Sequence, residues 1–350
     1  MGISNIIFSV VFLVAITFFI RNLNRIIANV KLGRDIDRSD RPTDRWKNMF
    51  RVAMGQSKMT RRPVAGVLHI ILYLGFVIIN IEVIEIIVDG IFGSHRYLAS
   101  ILPIGLYNFL IGSFEILAIL VLVACVIFLI RRNVIRIKRF WSKEMTTWPR
   151  TDANLILVFE ILLMSAFLIM NATDSLLFTS GASHYVTSFS NPISQYFQFM
   201  FIGMDTDTLV TIERFTWWFH IIGILGFMNY VLISKHLHIF FAFPSTYFAS
   251  LNPLGQFSNL QSVTNEVKLM MDPNADPYAA PAADAPPPEQ FGAKDVTDLN
   301  WVQLLNAYSC TECGRCTDSC PANQTGKLLS PRKILMDTRD RITELADNKR

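Results

Sequence analysis

Apolar residues in this chain are gathered into five long blocks, at about 5–22, 64–89, 107–130, 153–173 and 215–241. Each is near or above the roughly 20 residues that a bilayer core requires. Within a block the apolar character is continuous and not confined to one face, which predicts helices surrounded by lipid or by other helices. The first block starts almost at Met1, with no basic region before it and no small-residue cleavage site after it, and is expected to be a retained span.

The polar stretches change character after the fifth block. Pro244 is expected to stop the last helix, and a soluble region of about thirty residues leads into a stretch rich in Pro, Ala and Asp, from Asp272-Pro273-Asn274 to Pro286-Pro287-Pro288. Such a stretch cannot build a core and reads as an extended tether. A short helix is predicted around Asp298 to Ala307. A second, charged one has Ser330 as N-cap and Pro331 at its first position and runs to about Asp347. The expected organisation is a membrane domain at 1–243, a connector at 244–296 and a terminal domain at 297–350.

Composition confirms the class and charge orients it. Hydrophobic residues make up 51% of the chain and charged ones only 17%, so the chain is read as a multi-pass membrane protein. Twelve Lys and Arg lie between Arg21 and Arg62, and seven between Arg131 and Arg150, whereas the two remaining loops carry only Arg96 and Arg214. Basic loops stay in the cytoplasm, which places the N-terminus outside and everything after the fifth span inside. The net charge of +4 therefore reports topology and gives no sign of a nucleic-acid partner. The outer loop at about 174–214 holds a semi-apolar piece, Pro192 to Met204, which either lies along the surface or packs as a lid.

Candidate chemistry begins with Cys310-x-x-Cys313-x-x-Cys316-x-x-x-Cys320-Pro321. Four thiols at this spacing, with proline after the fourth, match the bacterial ferredoxin run that holds a [4Fe–4S] cluster. A structural zinc site uses two separated Cys pairs, and a disulfide framework needs a Cys-dense secreted domain. The terminal domain is therefore expected to be a partial, α-helical, ferredoxin-like 4Fe-4S domain. In two-cluster ferredoxins the first three cysteines hold one cluster and the fourth reaches to the other. No second run is present here. The readings are that the natural chain continues, that a partner supplies the missing ligands, or that the four close one cluster; the first is favoured, with Cys320 assigned to a second cluster. Cys125, inside an apolar block, is read as an inert core residue.

Histidines within spans are the second candidate. His69 lies about one and a half turns into the second block and His238 at the cytoplasmic end of the fifth, so the two share a depth and are expected to clamp one b-type haem. His220 and His238 are eighteen residues apart, about five full turns, and in a continuous helix would point the same way at opposite ends of a column of about 27 Å. His236 points elsewhere and needs no more than a span-end role. His95 and His184 are expected on the surface. Carboxylates in spans are costly and functional by default. Glu82 and Glu115 fall at similar depth and are read as a quinone or proton site, or as interhelical hydrogen bonding; Glu85 and Glu160 should also face the bundle.

Five spans, a histidine early in the second and a pair eighteen residues apart in the fifth resemble the dihaem cytochrome b (gamma) subunit of respiratory nitrate reductase. The cysteine run below Trp217-Trp218-Phe219-His220 and Ser234-Lys235-His236-Leu237-His238 is similar to membrane-bound iron–sulfur oxidoreductases related to heterodisulfide reductase. The resemblance implies that His69 and His238 hold the cytoplasm-proximal haem and that His220 is one ligand of a distal haem. The family's other distal ligand falls at Ile79, so the second haem lacks a partner residue. It also implies a second cysteine run in longer relatives, and cysteine-rich domains or subunits as partners. The expected function is electron transfer between the quinone pool and a cytoplasmic iron–sulfur or flavin partner, in a bacterial inner membrane, by an oxidoreductase subunit that needs that partner for net catalysis. The alternatives are a haem-free anchor and a structural or transport-associated subunit with a vestigial redox arm.

Overall fold

A computed structural model describes residues 2–349 except 186, 254, 257–258 and 275–290. Most of the predicted tether lies outside the described residues. Those described fold into helices and irregular connections, without a strand. Four helices are long and apolar enough to cross a membrane: Ile3–Val30, Pro63–Phe92, Ile104–Val134 and Trp148–Thr179. A fifth span results if Thr206–Val231 is joined to the bent-over Lys235–Tyr247.

The spans outrun the apolar blocks that announce them. Arg21 and Arg25 continue the first helix as far as Val30, because Arg is a good helix former and hydropathy marks only the part in hydrocarbon. The fourth span is the centre of the bundle, with half of its apolar window buried against 6% for the first. Phe167, Ala172 and Leu177 on it are fully buried, and the third and fifth spans pack along it. Small residues set the closest approaches. A Cβ at Gly75 would stand 2.4 Å from Val121 of the third span, and one at Gly223 would stand 2.6 Å from Leu163 of the fourth.

Two expectations about the fifth span are corrected. It is not one helix: the chain turns by 88° after Val231, and a new helix, His238–Tyr247, leaves at that angle. The backbone groups freed at the break are satisfied locally, since Asp152 accepts from Lys235 N at 3.0 Å and Ser234 Oγ from His236 N at 3.0 Å. Pro244 does not stop the helix but lies inside it. Near the proline, Thr246 Oγ1 donates to the carbonyls of Ala242 and Phe243.

The segment around the cysteines is docked against the bundle. A second apolar core joins Ile26 and Val30 of the first span, Leu237 and Phe241 near the break, and Leu304, Leu305 and Ile342 of the terminal segment. The helix Trp301–Tyr308 opens with a reciprocal cap between Asn300 and Gln303. Its start is pinned to the first span's exit by backbone hydrogen bonds, Arg34 N to Leu299 O at 2.8 Å and Trp301 N to Arg34 O at 3.1 Å. The last helix runs Pro331–Lys349, with Ser330 Oγ accepting from Lys333 N.

Candidate functional site

Beneath the docked arm lies an apolar cavity of about 270 Å³ between the second, third, fourth and fifth spans. His69, His220, His236 and His238 all open onto it, with Glu160. His69 and His238 face each other with ring centroids 6.3 Å apart. Two metal–nitrogen bonds of about 2 Å plus the ring radii require about 6 Å. His238 Nδ1 lies 3.0 Å from the Lys235 carbonyl oxygen. That bond requires the proton on Nδ1 and leaves the Nε2 lone pair for a metal, the arrangement that orients a histidine ligand. His69 Nδ1 is buried with no hydrogen-bond partner among the described residues. The two rings are spaced so that their nitrogens could hold one group between them.

Local sequence explains the placement. Gly66 lets the second span start against the backbone of the preceding loop, where a Cβ would meet Met59 O at 2.6 Å. His69 follows one turn later. His238 is the first residue of the helix beyond the break, so its position comes from the turn at 232–237 and not from five helical turns above it. His220 sits at full burial with Nδ1 3.0 Å from Leu163 O and Phe167 beside its ring. It opens onto the same cavity as His238, and so does Ile79, at the family's second distal position. His236 packs against Phe227 and His238, with centroids at 5.6 and 5.4 Å, and is part of the cavity wall.

All four cysteines of the run carry free thiols. Among the described residues no three metal-ligating side chains converge on one point, so the run is not folded as a closed four-thiolate site. The donor set fits iron–sulfur chemistry by type and spacing. The loop is shaped by left-handed residues, Glu312 at φ 55° and Gly314 at φ 74°; a Cβ at Gly314 would meet Arg332 Nη1 at 2.7 Å. Burial works to raise the Cys313 thiol, and donation from Arg315 and Thr311 outweighs it, leaving the thiol below its ordinary value.

Glu312, between Cys310 and Cys313, is buried and joins three segments. Its N–H lies 3.4 Å from Cys310 Sγ. Its carboxylate accepts from Lys235 Nζ at 2.5 Å and from Arg339 Nη2 at 2.8 Å. Burial alone would raise this carboxyl, but the two cations hold it below the usual range. Arg332, fully buried, donates to Arg139 O at 2.8 Å and to Glu144 Oε1 at 2.7 Å. Arg62 pairs with Asp318 at 2.8 Å. The cysteine loop is thus clamped to the segments that present His69 and His238.

At the opposite end of the bundle is a polar cavity of about 590 Å³. Glu82 and Glu85 line it, both buried, and Glu82 Oε2 has no hydrogen-bond partner among the described residues. Arg96 donates to Asp174 at 2.8 Å and to Asn171 at 2.8 Å, and His95 Nε2 is 3.2 Å from Asp174. His95 is therefore not the surface residue expected; only 8% of its side chain is exposed. His184, 5.4 Å away by ring centroid, is exposed as anticipated. Glu115 does not line this cavity. Its carboxylate accepts from Asn171, from Ser194 Oγ at 2.5 Å and from the backbone N–H of Ile193 and Ser194. It thereby staples the helical turn Ser194–Met200 onto the bundle, and the segment at 192–204 packs as a lid. Sequence reasoning missed Asp174, one residue past the predicted end of the fourth span, although an acid continuing an apolar run was a signal.

Over 347 residues, 97% of its length, the chain is 28% identical to a probable iron-sulfur-binding oxidoreductase, FadF, of Bacillus subtilis, covering 43% of that protein. It is 27% identical over 307 residues to the EtfAB:quinone oxidoreductase of Syntrophomonas wolfei, covering 86% of this chain and 38% of that one. A 55-residue stretch is 42% identical to part of a probable membrane-anchored ferredoxin of Chromohalobacter salexigens, 8% of that protein. The chain thus spans less than half the length of the curated relatives it matches. No family model matches it, and no solved structure does.

Proposed function

We propose that the chain is a membrane electron-transfer unit that connects a quinone pool to a cytoplasmic redox partner through haem and iron–sulfur centres. The carrying observation is the His69–His238 pair, 6.3 Å apart across a buried cavity directly below the cysteine loop. Haem and cluster supply one-electron redox chemistry when bound. The protein supplies the rest. His69 and His238 would hold the haem through their ring nitrogens, the Lys235 carbonyl fixes the His238 tautomer, and the apolar walls keep water out. Cys310, Cys313 and Cys316 hold one cluster, with Cys320 assigned to another, in a half ferredoxin domain at 297–350 that follows the membrane domain at 1–243 and the connector at 244–296. His220 opens onto the same cavity as Ile79, a side chain with no ligating atom, and one haem is proposed.

A quinol loses two protons with its two electrons, and Glu82 is the carboxylate with a free oxygen in a cavity open at the far end. The names of two relatives, an iron-sulfur-binding oxidoreductase and an EtfAB:quinone oxidoreductase, accord with this reading. So does the likeness to iron–sulfur enzymes related to heterodisulfide reductase and to the nitrate reductase gamma subunit. The partner is a cytoplasmic iron–sulfur or flavin protein, or a cysteine-rich domain. The basic loops support an arm on the cytoplasmic side, and a bacterial inner membrane is the proposed location. The test is whether dithionite reduction of the purified protein develops a b-type α-band; its absence leaves a haem-free anchor.

A further inference from the structure

Between the first two spans the chain forms a shelf beside the break in the fifth. The helix Pro42–Met49 runs on into a π-helical turn, Phe50–Met54, and packs along His238–Tyr247, which leaves the fifth span at 88° and therefore lies along the membrane plane. One face of the shelf is fixed inward. Arg45, fully buried, donates to Tyr247 O at 3.2 Å and to Ala249 O at 3.1 Å, and Asn48 Nδ2 donates to Thr246 O at 2.6 Å. Ala53 and Gln56 line the cavity onto which His69 opens. The turn is thus level with the start of the second span, where hydrocarbon gives way to headgroups.

With Arg45 and Asn48 turned inward, the other faces point out. Trp46, Phe50 and Met54 recur at four-residue spacing, which puts them on one side, and all three are exposed. The Trp46 ring lies 5.8 Å from Phe50 and 5.3 Å from Tyr247 by centroid. Lys47 and Arg51, also exposed and four apart, stand beside this stripe, and the exposed Lys58 and Arg61 follow. Asp44 pairs with Lys47 at 3.9 Å, and no acidic residue stands between Arg45 and Arg62. We propose that Pro42–Met54, with Tyr247, is a docking surface for anionic phospholipid. Trp46, Phe50 and Met54 enter the boundary between headgroups and acyl chains, and Lys47, Arg51, Lys58 and Arg61 meet the phosphates. Amphipathic aromatic rings favour that boundary, and a basic flank draws anionic headgroups to it. Neither haem nor cluster enters; the surface requires only that the chain spans a membrane.

The test places the full-length protein in nanodiscs of phosphatidylcholine alone or mixed with phosphatidylglycerol, with bromine on the acyl chains near the headgroup. The Trp46 contribution to fluorescence, obtained by subtracting Trp46→Phe, should be quenched by the brominated lipids. Mass spectrometry after detergent extraction then counts the lipid retained by each variant. Lys47→Gln/Arg51→Gln should lower the affinity for phosphatidylglycerol about fivefold for each cation removed, with phosphatidylcholine unaffected. Lys327→Gln/Lys333→Gln, the same change of charge on exposed positions of the arm, should retain phosphatidylglycerol as the unsubstituted protein does. A Trp46 emission untouched by brominated lipid overturns the proposal, as does phosphatidylglycerol retention that is unchanged in Lys47→Gln/Arg51→Gln or lowered equally by the control pair. A photo-crosslinker at position 46 that captures a second polypeptide, a further copy of this chain included, in place of lipid also overturns it.

Discussion

Arg96 donates to Asp174 at 2.8 Å with both side chains less than a tenth exposed, although Arg96 lies in a connection and Asp174 in the fourth span. The guanidinium also covers the ring of Phe189, so one cation ties a connection, the fourth span and the outer loop together at the far end of the bundle. Removing one partner of such a pair leaves the other charge buried and unmatched. Asp174→Ala should cost about 3–5 kcal/mol, read as a lower denaturation midpoint in detergent, and Arg96→Met/Asp174→Leu should recover much of it.

Glu115 and Glu82 are expected to separate in their effects. Glu115→Ala removes the staple on Ser194–Met200 and should raise proteolysis and hydrogen exchange of that lid. Glu82→Gln should leave the lid protected and lower quinol-linked turnover by about a hundredfold, the scale of a lost proton acceptor. Unchanged turnover in Glu82→Gln removes this carboxylate from the proton path.

Docking of the cysteine arm should depend on pH through Glu144. Burial opposes ionisation of this carboxyl, and Arg332 and Ser330 outweigh it, bringing it to about 2 from 4.5. A lowered value in the docked state means stability that is fully present above about pH 4.5 and is lost as pH falls toward 2. Trp301 fluorescence against pH should follow that window, and Glu144→Gln should undock more readily at neutral pH while flattening the acid dependence.

Gly66→Ala should act at a distance of one helical turn from His69. The added methyl meets backbone, not a yielding side chain, so the second span must shift at a cost of about 1–3 kcal/mol. The expected result is reduced haem content with the five apolar helices still formed by circular dichroism.

The spans and the cysteine run were legible because both are local patterns: bilayer length fixes the first, and cluster chemistry fixes the second. His69 and His238 were legible as a pair at one depth, yet for a partly mistaken reason. Sequence periodicity assumes that a helix continues, and the break at 232–234 depends on Asp152, which lies eighty residues away and carries no periodic signal. The same holds for His95. Its burial comes from Asp174 across the bundle, and a loop histidine beside an arginine reads as surface until that carboxylate is placed. Glu115 was found as a buried acid, but only the tertiary structure shows its oxygens committed to Asn171, Ile193 and Ser194. The docking of the cysteine arm was invisible because the composition of 272–288 suggests a tether, whereas the contacts are made by Arg34, Trp301 and Arg332 on either side of it.

The most direct measurement is a reduced-minus-oxidised absorption spectrum of the purified protein beside His69→Ala and His238→Ala. The account predicts a b-type α-band in the unsubstituted protein that is lost or shifted to a high-spin form in each variant, with one haem per chain by pyridine haemochrome. A protein with no such band, or a band that survives both substitutions, contradicts it.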